Sequence, residues 1–181
     1  MLWAATSGAI EIRAEGGTTR LRGSFAYGAE TILAEGRAEV FAPGAFRGRI
    51  ADDALLLYGH DFDRPLASRA AGSLDLTDDD TGLHLEARVE GATTWARDVL
   101  AAHAAGLVRG ISPGFKVPPG GDRVERRGAG LLRTVTAADL IEISIVTRPA
   151  YPAAQIEARA WQPGDTTVNA GMTRALARWR I

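Results

Sequence analysis

The sequence of 181 residues contains no cysteine. This absence excludes disulfide bonds, thiolate nucleophiles and metal sites built on thiolates. Lysine is almost missing as well, because Lys116 is the only lysine among 21 basic residues and arginines account for the rest. The net charge is −1, so the chain lacks the basic surplus that is typical of a dedicated nucleic-acid-binding protein. We therefore expect no nucleic-acid partner.

Long apolar runs are also missing from the sequence. No segment approaches the roughly 18 apolar residues of a membrane span. The first residues lack the basic region and the apolar core of a secretory signal. We expect no membrane partner and a location in the cytoplasm of the producing cell. The composition, 46% hydrophobic and 24% charged, is typical of a globular protein, and the length fits one domain.

Most of the chain alternates between apolar and polar residues with a period of two, and glycine-bearing turns separate the segments. This pattern is typical of antiparallel strands. The predicted strands are 10–14, 19–26, 35–41, 54–58, 72–78, 82–90, 108–117, 131–136 and 140–146. Many short strands with one or two helices favour an α+β fold, mainly β, built as an antiparallel β-barrel with peripheral helices.

One helix is predicted over residues 95–105. Thr93 or Thr94 can cap its N-terminus, and Gly106 is placed to end it. The core side is predicted at helical spacing, and it consists of Trp95, Val99, Ala102 and Leu107.

The three histidines lie in different sequence contexts. His84 falls on the polar face of a predicted strand, and His103 falls on the helix among alanines. His60 follows the apolar run 54–58 and Gly59, so its imidazole is placed at the end of a buried strand, where acid–base chemistry is feasible. A structural histidine bonded to neighbouring backbone is the alternative. Because the three are far apart in sequence, we expect no metal site.

Ser112 is the candidate nucleophile among six serines. It lies in a short strand between Gly110 and Gly114. Glycines allow close approach of a substrate backbone or unusual dihedral angles, both of which suit a nucleophile pocket. A simple bulged strand explains the same residues.

A carboxylate interrupts the apolar run 140–146. Glu142 shares one face of this predicted strand with Ser144, and burial of its charge is costly unless it has a partner. Glu142 is therefore the candidate third member of a Ser-His-acid triad. If the face is solvent-exposed instead, Glu142 is an ordinary surface residue. Asp139, at the entrance of the strand, is the second choice of acid.

Five segments in a fixed order carry a resemblance to a known family. They are GSF at 23–25, VFAPGAF at 40–46, HDFDRPL at 60–66, GISPGF at 110–115 and EISIVTRPAYP at 142–152. Together they resemble the prohead (capsid maturation) proteases of tailed bacteriophages, a family related in fold to the herpesvirus assemblin protease. The resemblance covers about residues 9–158. It implies a protease domain over 9–158 and a C-terminal tail over 159–181.

The resemblance implies that Ser112 is the nucleophile, His60 the general base and Glu142 the acid that orients it, with no cofactor. Pro113 has no backbone N–H, so the residue after the nucleophile cannot donate to an oxyanion. We predict that the donor comes from the loop after Glu142, with Arg148 as the candidate.

Members of the resembled family act inside the immature procapsid, in the cytoplasm of the bacterial host. The implied substrates are the major capsid protein or a scaffold, and the protease itself, including its tail. The herpesvirus branch adds the expectation of a homodimer. The source is a phage, a prophage or a domesticated particle such as a gene transfer agent. The alternative functions are a catalytically silent barrel that serves in capsid assembly and an unrelated binding module.

Overall fold

The computed structural model describes residues 10–15, 18–108 and 110–147, which form twelve strands and one helix. The strands are β1 Ile10–Glu15, β2 Thr18–Ala26, β3 Thr31–Ala34, β4 Arg37–Phe41, β5 Ile50–Tyr58, β6 Asp61–Ser68, β7 Leu74–Asp78, β8 Gly82–Val89, β9 Gly110–Lys116, β10 Asp122–Arg127, β11 Gly130–Val135 and β12 Asp139–Val146. The helix, α1, spans Thr94–Ala104. The α+β, mainly β class predicted from the periodicity is confirmed.

The strands form three four-stranded sheets. Their orders are β1-β2-β8-β7, β10-β11-β4-β3 and β6-β5-β12-β9. The first sheet is antiparallel throughout, whereas β4 pairs with β11, and β5 with β12, in parallel. In the described part of the chain, hydrogen bonds do not close these strands into one barrel. The third sheet carries the candidate site.

One hydrophobic core unites the three sheets and the helix. Its centre includes Phe46, which is fully buried in the loop after β4 and contacts Phe41 of β4 and Phe115 of β9. The ring centroids of Phe41 and Phe115 lie 5.1 Å apart in an edge-on arrangement, a geometry worth about 0.5–1.5 kcal/mol beyond the buried area. This aromatic contact fixes β9 against the second sheet, three residues after Ser112.

Helix α1 begins and ends as its capping residues predict. The Thr93 side chain accepts a hydrogen bond from Ala96 N–H, and Gly106 follows the helix with a φ of 69°. The prediction for Leu107 is wrong, because its side chain is 65% exposed. The left-handed Gly106 ends the helical period, so Leu107 does not fall on the core side of the helix. Val108, the residue after Leu107, is buried in the core instead.

Strands β3, β6 and β10 were not predicted, since none of them shows a clear apolar alternation. Strand β6 is the instructive case. It lies at the edge of its sheet, where Phe62 and its neighbours 63–65 are exposed and where Pro65 is tolerated. An edge strand with little burial lacks the periodic pattern that reveals a strand in sequence.

A buried ion pair ties the middle of the second sheet together. The Arg133 guanidinium of β11 donates to Glu39 of β4 at 2.9 Å and to Asp122 of β10 at 2.5 Å. The Arg133 and Glu39 side chains are both about 5% exposed. One buried cation thus joins carboxylates of the two neighbouring strands.

We predict that Arg133→Met lowers the free energy of unfolding by about 3–5 kcal/mol, because it leaves buried carboxylate charge without its cation. Urea denaturation measures this loss. The exposed Arg126 of β10 supplies the matched control, since Arg126→Met should change the free energy by less than about 0.5 kcal/mol. Equal effects of the two substitutions would contradict the prediction.

Candidate active site

His60 occupies a two-residue turn between β5 and β6. Tyr58 pairs with Asp61 across the hairpin, so Gly59 and His60 alone form the loop. Their φ angles are 66° and 63°, as a type I′ turn requires of both central residues. Among the described residues, His60 is the only non-glycine with a positive φ. Backbone strain of this kind costs on the order of 1–3 kcal/mol and indicates a functional constraint.

Three hydrogen bonds tie this turn to β12. The Gly59 N–H donates to the Ile145 carbonyl at 3.0 Å, and the His60 N–H donates to Ser144 Oγ at 2.9 Å. The imidazole Nδ1 lies 2.7 Å from Glu142 Oε1. Both the backbone and the ring of His60 are therefore held by the same neighbouring strand.

The face of β12 that carries Glu142 and Ser144 is buried. Glu142 is 4% exposed and Ser144 is 0% exposed, so the alternative of a solvent-exposed face is wrong. The second carboxylate oxygen, Oε2, accepts a hydrogen bond from Ser144 Oγ at 2.6 Å. Each oxygen of the buried carboxylate thus has a polar partner, which offsets the cost of removing it from water.

Ser112 lies on β9, directly opposite Ser144 of β12. Opposed residues of an antiparallel pair project their side chains to the same face of the sheet. Ser112 therefore shares a face with Ser144 and Glu142, the two residues that bind His60, and it is itself buried. Pro113 follows it on the same strand, so the next backbone position has no N–H to donate.

Gly114 pairs with Glu142 across the same two strands. A Cβ atom at this position would lie 2.0 Å from Glu142 Oε1. On the sequence alone, the glycines near Ser112 are attributed to substrate approach or unusual dihedral angles. At Gly114, the structure shows a steric reason instead. The missing side chain of this glycine leaves the space in which the carboxylate reaches His60.

The other candidate residues lie elsewhere or outside the described residues. Asp139 is half-exposed at the start of β12 and accepts a hydrogen bond from Arg49 at 2.8 Å, whereas Glu142 is the carboxylate bonded to His60. His84 is on β8, where its Nε2 lies 3.2 Å from Asp79. Arg148 falls outside the described residues, so its place in an oxyanion hole stays a prediction.

Within the described ranges, no group of three or more histidine, aspartate and glutamate side chains is arranged to hold a metal ion. Helix α1, the one helix described there, is too short and too polar to cross a membrane.

Ser144 is the residue of the site to which sequence reasoning gave no role. The signal was present, since two polar residues at positions i and i+2 of an apolar strand share one buried face. The sequence could not show that Ser144 accepts a hydrogen bond from the backbone N–H of His60. That contact depends on the turn at residues 59–60, which only the structure reveals.

Three comparisons with known proteins complete the description of the site. The family model for caudovirus prohead serine proteases matches residues 9–167, a range that includes His60, Ser112 and Glu142. Neither the curated proteins nor the solved structures give a significant match.

We predict that Gly114→Ala destabilises the fold by about 1–3 kcal/mol, because the new methyl group and the Glu142 carboxylate cannot occupy the same space. Thermal unfolding measures the loss. Gly91→Ala is the control, since a Cβ there meets only the Arg97 side chain at an ordinary 3.6 Å. A Gly114→Ala protein as stable as the control would show that the carboxylate does not need this space.

Proposed function

The chain belongs to the caudovirus prohead serine protease family, and from this premise we propose that Ser112, His60 and Glu142 form its catalytic triad. Membership of the family makes the protein a serine protease of capsid maturation. The observation that carries the proposal is the 2.7 Å contact between His60 Nδ1 and Glu142 Oε1, on the sheet face that also carries Ser112.

The directions of the hydrogen bonds support His60 as the base. A backbone N–H can only donate, so Ser144 Oγ accepts from His60 and gives its own hydrogen to Glu142. An ionised Glu142 accepts at both oxygens, and His60 then carries its proton on Nδ1. The neutral imidazole keeps a lone pair on Nε2, which is the atom that must take a proton from the nucleophile.

In the proposed mechanism, each of these residues has one role in peptide hydrolysis. Ser112 Oγ attacks the scissile carbonyl carbon while its proton passes to His60 Nε2. The tetrahedral intermediate collapses, the C–N bond breaks, and His60 gives the proton to the leaving amine. Water then attacks the acyl-enzyme by the same route and releases Ser112. Glu142 stabilises the imidazolium that forms in each half of the cycle.

The oxyanion of each intermediate needs hydrogen-bond donors. Pro113 excludes the backbone N–H of the residue after the nucleophile. We retain the residues that follow β12 in the sequence, with Arg148, as the proposed source of the donor. Thr147, the last described residue before Arg148, is exposed at the end of the strand that carries Glu142.

The substrate follows from the family rather than from the site. Family membership implies a capsid protein as substrate. We propose the major capsid protein or a scaffold, cleaved inside the assembling procapsid of the bacterial host, and we propose that the tail over 159–181 is removed by the protease itself. The homodimer expected from the herpesvirus branch stays a prediction.

The triad is tested without knowledge of the cleavage site by a fluorophosphonate probe, which labels an activated serine. We predict that the wild-type protein is labelled, whereas Ser112→Ala is not and His60→Ala reacts about 10⁶-fold more slowly. Ser73→Ala, a serine in the turn before β7, is the control and should react like wild type. Co-expression with the neighbouring major capsid protein tests the substrate in parallel. A wild-type protein that neither labels nor processes would favour the silent assembly module.

Self-processing predicts a difference in mass. The wild-type chain should lose a C-terminal fragment that the Ser112→Ala chain retains, because the second protein lacks the nucleophile. Intact mass spectrometry of the two purified proteins measures this. An intact C-terminus in both would contradict removal of the tail and leave the triad itself unaffected.

A further inference from the structure

We propose that Ser144 is a positioning residue of the active site, whose hydroxyl holds the left-handed turn of His60 and the carboxylate of Glu142 in one closed ring of hydrogen bonds. The inference rests on the proposed triad and adds to it the residue that fixes the geometry of its base. Ser144 touches neither the scissile bond nor the nucleophilic oxygen in this role.

The ring begins and ends on the same residue. The His60 N–H donates to Ser144 Oγ at 2.9 Å, Ser144 Oγ donates to Glu142 Oε2 at 2.6 Å, and Glu142 Oε1 returns to His60 Nδ1 at 2.7 Å. This ring of hydrogen bonds includes both the backbone N–H and the imidazole of His60. It therefore limits rotation about the side-chain bonds that connect the imidazole to the backbone. A single hydrogen bond to Nδ1 alone would leave the imidazole free to move with its turn.

The hairpin and the Gly59 N–H bond to Ile145 position the turn as a whole, but they do not act on His60 itself. The His60 side chain is 34% exposed, so packing surrounds the imidazole only in part. The His60 backbone is in the left-handed region, which a histidine leaves readily unless the surroundings oppose the change. The acceptor that Ser144 offers to the His60 N–H stabilises the turn at the strained residue itself.

Ser144 also fixes the direction of two of these hydrogen bonds. Its hydroxyl is fully buried and has one hydrogen, and that hydrogen cannot point at the N–H of His60. It therefore points at Glu142 Oε2, while Oε1 is the oxygen that lies 2.7 Å from Nδ1. Loss of the hydroxyl would remove the acceptor of the part-buried His60 N–H and the donor to the buried Glu142 Oε2.

A second nucleophile is a less suitable role for this serine. Ser144 faces Ser112 across the strand pair, but it is 0% exposed, and its hydroxyl is already engaged as donor and acceptor. An incoming carbonyl carbon has no access to such an oxygen. The same contacts that exclude attack by Ser144 make it a rigid link.

The first experiment determines which imidazole nitrogen of His60 carries the proton, and it does not require an active protease. Long-range ¹H–¹⁵N NMR of the imidazole nitrogens is recorded in the Ser112→Ala protein, with Ser144→Ala, Ser144→Thr or Ser73→Ala added. We expect one histidine with its proton fixed on Nδ1 in the parent, assigned to His60 by its loss in His60→Ala. Ser144→Ala should shift that histidine towards the Nε2–H form, and Ser144→Thr, which keeps a hydroxyl, should restore the parent spectrum.

Ser73→Ala is the matched control, because the Ser73 hydroxyl likewise accepts from a backbone N–H, that of Ser68 at 3.0 Å, in a turn remote from the site. It should leave the His60 signals unchanged.

The second experiment measures reactivity in proteins that keep Ser112. Ser144→Ala should slow fluorophosphonate labelling about 100-fold, since small displacements of a catalytic group cost about that much. Ser144→Thr should recover most of the rate, and Ser73→Ala should match wild type. Should Ser144→Ala not fold, as judged by circular dichroism, Ser144→Cys replaces it in both experiments with the same expectation, because a thiol is a weak donor and acceptor.

The two experiments separate the possible failures. A Ser144→Ala protein with unchanged His60 signals and a labelling rate within about twofold of wild type overturns the positioning role. So does a protein that loses stability alone, with both readouts unchanged. If the wild-type protein itself is not labelled, the proposed triad fails, while the NMR comparison still decides whether Ser144 holds His60.

Discussion

The burial of the Glu142 carboxylate is the interaction on which the rest of the site depends. A charge placed in an apolar strand must find polar partners or destabilise the fold. His60 and Ser144 each bind one of its oxygens, and Gly114 leaves the space in which it lies. The left-handed turn of His60 meets the same requirement, because it brings both Nδ1 and the backbone N–H to β12.

Strand β12 performs the assembly. It pairs in parallel with β5, which leads into His60, and antiparallel with β9, which carries Ser112. The proposed base and the proposed nucleophile therefore meet at one face of one sheet, although about fifty residues separate them in the chain. The shared aromatic core fixes β9 from the other side through Phe115. The geometry of the site is thus a property of the sheet rather than of a mobile loop, as a preorganised site requires.

Sequence reasoning reached the class of the fold and the three residues proposed for the triad. The alternation along β8 and the apolar run of β5 are local signals. Glu142 could be singled out because burying a carboxylate in an apolar strand costs free energy unless it has a partner. The residues around Ser112 fit a simple bulged strand equally well, and only the ordered motifs favoured Ser112 as a nucleophile. The parallel pairing of β5 with β12 could not be predicted, because register between distant strands leaves no local pattern. Ser144 was given no role, and Leu107 was wrongly placed in the core, for a related reason: each depends on a backbone turn.

The position of β12 in the chain has a consequence for the time at which the site comes into being. It is the last strand described, yet it inserts between β5 and β9, which are synthesised long before it. When His60 and Ser112 have been synthesised, the strand that lies between β5 and β9 and carries Glu142 has not yet been made. The site therefore assembles only once residues 139–146 have emerged and found their place. The long-range contacts of the proposed site are therefore among the last that the described part of the chain can form.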